Sequence, residues 1–208
     1  MRTSVLFLAF TASLSAQGLP PRTAATEYQT QAKAGTVTLA ADFVRHSVPT
    51  AQGTLSTEDY VVVELGMYGP PDARTQISLD DFSLRINGKK QALKSQPFGM
   101  VLSSIKDPEW VPPESAPSGK GSKGGLTGGG GGGGDKDLNS PPPVVKVPLE
   151  LQRAMAQRTQ KAAMPLGDRA LPVAGLLFFP YRGKAQNITS VELIYSGAAG
   201  QATLNLQP

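Results

Sequence analysis

The sequence has no cysteine, a single histidine (His46) and a single tryptophan (Trp110). Without cysteine there is no disulfide framework, no thiolate metal site and no cysteine nucleophile. One histidine cannot build a histidine-based zinc site. Charge of one sign is also scarce in excess: 20 basic residues face 16 acidic ones, a net +4 that is too weak to argue for a nucleic-acid partner. No stretch approaches the roughly 20 apolar residues of a membrane-spanning helix. A Gly-x-Ser-x-Gly nucleophile elbow is missing, and so is the oxygen-ligand spacing of an EF-hand. The Gly-Lys pair in the glycine-rich stretch, Gly119-Lys120, is followed by Gly121 rather than the Ser or Thr of a phosphate-binding loop.

What is present divides the chain into four parts. Met1 and Arg2 precede a mostly apolar stretch from Val5 to Leu14, and small residues stand at Ser13, Ser15 and Ala16. That order is the pattern of a secretory signal peptide over residues 1–17. It predicts a mature chain starting between Ala16 and Gly18, and a periplasmic or secreted location. Residues 18–34 read as a polar linker or a short helix ending at Gly35. Residues 112–148 hold 11 glycines and 7 prolines, including the unbroken run Gly128 to Gly134. Glycine loses the most backbone freedom on ordering and has no side chain to bury, so the composition predicts a disordered insert. The remaining residues, 35–111 and 149–208, are enough for one core.

Those residues read mainly as strands. Val37, Leu39, Ala41 and Phe43 alternate with polar positions, as do Val61, Val63, Leu65 and Met67, and the period of two marks half-buried strands. Ile77 and Leu79 predict a short strand. Phe82, Leu84 and Ile86 lead into Asn87-Gly88, a strong type I′ hairpin signal because both turn residues need positive φ; Lys89 to Leu93 is then the return strand. Val173 to Phe179 is continuously apolar, as in a central strand. Val191, Leu193 and Tyr195, then Ala202, Leu204 and Leu206, complete the set. One helix is predicted from Pro148 to Met164, with Leu151, Ala154, Met155 and Ala162 on its apolar side and Arg158 interrupting that side. Seven to eight short strands, one helix and no βαβ rhythm point to an antiparallel β-sandwich.

The run from Tyr60 to Leu65, a Pro-Gly turn, the run Ile77-Ser-Leu-Asp-Asp-Phe-Ser-Leu-Arg-Ile-Asn-Gly-Lys-Lys90, and Gly175-Leu176-Leu177-Phe178 together resemble the bacterial extracellular immunoglobulin-like domains of the telokin-like group. The resemblance covers about residues 36–93 and 171–207. It implies an immunoglobulin-like sandwich in an envelope or secreted protein, and brings no catalytic residues or cofactor. The chain departs from the pattern in the Gly/Pro-rich insert, the helix and the missing lipidation cysteine.

Candidate chemistry is sparse. The carboxylate groups are Glu58-Asp59, Asp80-Asp81, and Asp107 with Glu109. Asp80-Asp81 stands before a strand, where Asp ordinarily bonds the backbone of a turn; metal binding and acid–base catalysis are the sharper alternatives. His46 lacks an evident orienting carboxylate for a hydrolytic triad. Asn187-Ile188-Thr189 matches a glycosylation acceptor, with a strand start as the plainer reading. Trp110, Tyr181 and Tyr195 could form an aromatic sugar platform or pack as core. Arg153 and Lys161 on the outer side of the helix are candidate surface contacts. The sequence therefore predicts an exported, non-enzymatic immunoglobulin-like module with a binding or structural role in the cell envelope. A carbohydrate-binding module and a secreted hydrolase using Asp80 or Asp81 are the alternatives. No cofactor, metal or nucleic-acid partner is expected, and the envelope component it meets is not named by the residues.

Overall fold

The computed structural model describes residues 18–111 and 147–208. The predicted signal peptide, 1–17, and all of the predicted insert except Val147 and Pro148 lie outside the described residues. In chain order the strands are β1 (Thr30–Ala34), β2 (Val37–Arg45), β3 (Ser47–Thr50), β4 (Gly53–Thr57), β5 (Tyr60–Tyr68), β6 (Arg74–Ile77), β7 (Phe82–Ile86), β8 (Leu93–Lys94) and β9 (Ile105–Lys106). They continue with β10 (Gly167–Ala170), β11 (Val173–Pro180), β12 (Val191–Gly197) and β13 (Gly200–Leu206). A short helix α1 (Phe98–Val101) precedes β9, and the main helix α2 (Leu149–Ala162) precedes β10. The chain is mainly β, its paired strands are antiparallel, and it has one main helix, as the sequence predicts.

Two four-stranded sheets, in the orders β1-β2-β5-β11 and β13-β12-β7-β8, face each other in a sandwich-like arrangement. Alternate residues of each strand meet in one core. Leu39, Ala41 and Phe43, Val61, Val63, Leu65 and Met67, and Leu177 and Phe179 come from the first sheet. Phe82, Leu84 and Ile86, Val191, Leu193 and Tyr195, and Leu204 and Leu206 come from the second. The sheets approach at both sides. β1 runs alongside β13, and beyond β8 the Gln96 N–H donates to the Phe178 carbonyl at 2.8 Å. These contacts cover sheet edges that would otherwise offer unpaired backbone groups.

The first sheet is buried on its other face as well. Val62, Leu176 and Phe178 point away from the sandwich into a second core with Val48 of β3, Leu55 of β4, Val101, Ile105, Met155 and Ala162. β5 and β11 therefore lie between two apolar layers. This is the physical reason that Val61 to Val63 and Leu176 to Phe179 are unbroken apolar runs rather than strict alternations. The three strands β3, β4 and β9 form a small sheet in this outer layer. Helix α2 caps it with Met155, Thr159 and Ala162 buried. Arg158, which interrupts the apolar stripe, donates to the Gln52 carbonyl at 3.1 Å and pairs with Asp107 at 3.4 Å, tying the helix to the β3–β4 turn and the segment after β9. After α2 the chain crosses directly over β11. The Met164 N–H donates to the Leu176 carbonyl at 3.0 Å. A Cβ on Gly175 would stand 2.5 Å from Met164 Cα, so the close crossing requires glycine there.

Several sequence expectations need correction. Thirteen strands are described where seven to eight are expected, because the short strands of the outer layer, of the β6–β10 ribbon and at the sheet edges carry little periodicity of their own. Residues 18–34 are not a linker in the structure. Leu19 bridges to Ala174, β1 pairs with β2 along Thr30 to Ala34, and Tyr28 is buried. The strand at Ile77 ends there, and Leu79 lies in a 3₁₀ turn begun by Ser78. Asn87 and Gly88 do have positive φ, 53° and 63°, as a type I′ turn demands. The return strand is nevertheless only Leu93–Lys94. Asn87 spends its side chain on the segment before β12, donating to the Asn187 carbonyl at 2.7 Å and accepting from the Thr189 N–H at 2.7 Å. Ala154, placed on the apolar side of the helix by its spacing, is exposed.

Candidate functional site

Asp80 and Asp81 are held by a turn. Ser78, Leu79, Asp80 and Asp81 form a capping box: the Ser78 hydroxyl accepts the Asp80 N–H at 3.3 Å, and the Asp81 carboxylate accepts the Ser78 N–H at 3.1 Å. Such reciprocal bonds satisfy donors that the first turn leaves open. Asp81 is thereby committed to backbone structure. Of the remaining acids, Glu58 pairs with Lys106, Asp59 with Arg182, and Asp107 with Arg158. Among the described residues no group of three His, Cys, Asp or Glu side chains could hold a metal ion.

The aromatic candidates are dispersed. Tyr195 is buried under the second sheet and stacks on Phe82 with ring centres 5.1 Å apart; its oxygen accepts the Ala199 N–H, and burial pushes the phenol up. Tyr181 is half-buried against the sandwich core, with the His46 ring 6.2 Å away. Trp110, also half-buried, follows the turn in which its N–H donates to the Asp107 carbonyl. Among the described residues no ring contact joins Trp110 to either tyrosine. Arg153 and Lys161 are exposed on α2; Arg153 pairs with Glu150 one turn earlier at 3.0 Å. Asn187 ends a 3₁₀ turn and is exposed, and the Thr189 hydroxyl donates to Asn87.

The most densely bonded polar cluster was not foreseen from the sequence. Asp42 of β2 and Glu64 of β5 are directly opposite each other in the first sheet. Like charges so placed repel. Arg22, from the segment before β1, lies between them: its Nη2 is 2.6 Å from Asp42 Oδ2 and 3.1 Å from Glu64 Oε1. Its Nη1 donates to the Glu27 carbonyl at 2.6 Å, and its guanidinium stands 4.0 Å over the Tyr28 ring. Burial pushes the Glu64 carboxyl up, more than the Arg22 charge pulls it down. Burial by itself lowers the Arg22 guanidinium, but the bond to Asp42 and the charges of Glu64 and Asp42 raise it overall. The Tyr28 ring fills the space left open by Gly66, and its phenol is also pushed up by burial. Alternation along β2 and β5 marks Asp42 and Glu64 as facing away from the sandwich core. The distant Arg22 has no local signal.

Two of the open clefts adjoin candidate residues, Glu58 and Arg153. One, of about 490 Å³, is bordered by His46, Ser56, Glu58, Lys106, Lys184 and Gln186. The other, of about 620 Å³, runs between α2 and the segment after α1, past Leu102, Ile105, Leu149, Arg153 and Met155. No helix among the described residues is long and apolar enough to cross a membrane. No family model, curated protein or solved structure matches the chain.

Proposed function

We propose that the chain is an exported, non-enzymatic immunoglobulin-like module with a binding or structural role in the cell envelope. The observation that carries this reading is the commitment of its half-buried charged side chains to the fold. Asp81 caps a turn, Arg22 bridges Asp42 and Glu64, and Arg158 fastens α2 to the outer layer. Two facing antiparallel sheets with a valine-rich central strand suit the immunoglobulin-like assignment. The order of residues 1–17 supports export. On this reading the contact surface includes the outer side of α2, where Arg153 and Lys161 present cations to an anionic envelope component.

The test combines location with binding. Terminal sequencing of the exported protein should find a start between Ala16 and Gly18. The mature chain should cosediment with anionic envelope fractions. Charge reversal, Arg153→Glu with Lys161→Glu, should weaken cosedimentation without lowering the melting temperature. An intact Met1 on cytosolic protein, or cosedimentation unaffected by the reversal, overturns the reading.

A further inference from the structure

We propose that His46 is a proton-dependent latch, fastening the loop after β11 to the start of β5 when the imidazole is charged. His46 stands at the corner between β2 and β3. Its Nδ1 is 2.7 Å from the Tyr60 carbonyl oxygen, and its Nε2 is 3.1 Å from the Gly183 carbonyl oxygen. Both partners can only accept. A neutral imidazole has one N–H and can serve one of them; its other nitrogen then turns a lone pair toward a carbonyl lone pair. The imidazolium donates to both at once, and both bonds are charge-assisted. The proton therefore converts one of the two contacts from repulsive to bonding.

The surroundings keep the ring in place. The Tyr181 ring lies beside it, tilted by 31°. Gly183 sits so close to Tyr181 that a Cβ there would come within 2.4 Å of the phenol oxygen. The charged groups around the ring come from four segments. Glu58 and Asp59 precede β5 and are paired with Lys106 of β9 and with Arg182. Lys184 follows Gly183 and borders the same cleft. Arg45, next to His46 in the chain, reaches away to the Pro208 carbonyl at 3.0 Å. The hydrogen-bond partners of the two ring nitrogens are thus carbonyls, not a carboxylate. When the ring loses its proton, the loop loses one of its two ties through it. This goes beyond the envelope reading and stands whether or not the protein is exported.

The chain has one histidine, so its ring signals in a nuclear magnetic resonance titration belong to His46. The experiment follows the ring nitrogens of the full chain across pH, together with hydrogen exchange at Tyr181, Asn187 and Ile188 corrected for intrinsic rates. These three amides donate to Asp59, Lys184 and Ala185, respectively, and report on the loop. Their protection should fall about tenfold with the same midpoint as the ring, the scale of one hydrogen bond. His46→Gln should abolish that step. Glu58→Gln and Lys184→Met should leave it in place. Loop protection that does not follow the ring, a step that persists in His46→Gln, or one that vanishes in either control overturns the proposal. If His46→Gln does not fold, the comparison of ring and loop in the unaltered protein decides alone.

Discussion

Replacing Arg22 with methionine should destabilise the protein by about 3 kcal/mol at neutral pH, and acid should restore part of the loss. Methionine keeps much of the apolar stem over Tyr28 but removes the cation. Two charge-assisted contacts disappear, to Asp42 and Glu64, whose side chains are only 16% and 14% exposed. Breaking a fully buried pair costs about 3–5 kcal/mol; the 29% exposure of the Arg22 side chain places this one at the lower end. Asp42 and Glu64 are then left opposed across β2 and β5 without a counter-charge. The loss is large against a total margin of about 5–15 kcal/mol. The pH sign follows from Glu64, whose carboxyl burial already pushes up. Losing Arg22 removes the attraction that opposes that push. A native carboxyl that holds its proton more tightly than the unfolded one favours folding in acid; that contribution is lost as pH rises through the native titration. The gap between variant and parent should therefore narrow as pH falls from 7 toward the ordinary glutamate range. Urea unfolding at several pH values measures it, with Arg22→Met combined with Asp42→Asn recovering part of the stability at pH 7. A variant within about 0.5 kcal/mol of the parent, the usual range of a neutral surface change, would refute the reasoning. So would a gap that widens in acid.

Val62→Asp should be as damaging as Val63→Asp, each costing several kcal/mol by burying an unpaired charge, because the two residues point into different cores; urea midpoints for the pair check this, and a mild Val62→Asp contradicts the three-layer packing. Gly175→Ala should cost about 1–3 kcal/mol, since its Cβ meets the backbone of Met164 rather than a movable side chain; thermal unfolding measures the loss. Asp81→Ala should lower stability by about 1 kcal/mol through loss of the capping box while leaving a cooperative transition in calorimetry.

The local patterns were legible wherever one physical constraint acted on neighbouring residues. Period two in Val37 to Phe43 and Phe82 to Ile86 identified strands with one buried face, since side chains alternate across a sheet. Positive φ at Asn87 and Gly88 follows from the turn chemistry of Asn-Gly. Proline before the helix and Pro165 after it marked the limits of α2 to within two residues. The apolar run at Val173 reads as a central strand, yet β11 stands at the end of its sheet; the run is apolar because a core lies on each of its faces.

What only the tertiary structure decided depends on partners far apart in the chain. Residues 18–34 look polar because Arg22 among them bridges two carboxylates 20 and 42 residues away, a relation no window of sequence contains. Arg158 looks misplaced in an apolar stripe until the β3–β4 turn and Asp107 are brought beside it. Lys89 to Leu93 have the makings of a return strand, but Asn87 is claimed by the segment before β12, and pairing resumes only at Leu93. His46 likewise acquires its two carbonyl partners from positions 14 and 137 residues away. Hydrophobic periodicity specifies which face of an element is buried; which polar side chain answers which buried charge or carbonyl is settled only when the layers close.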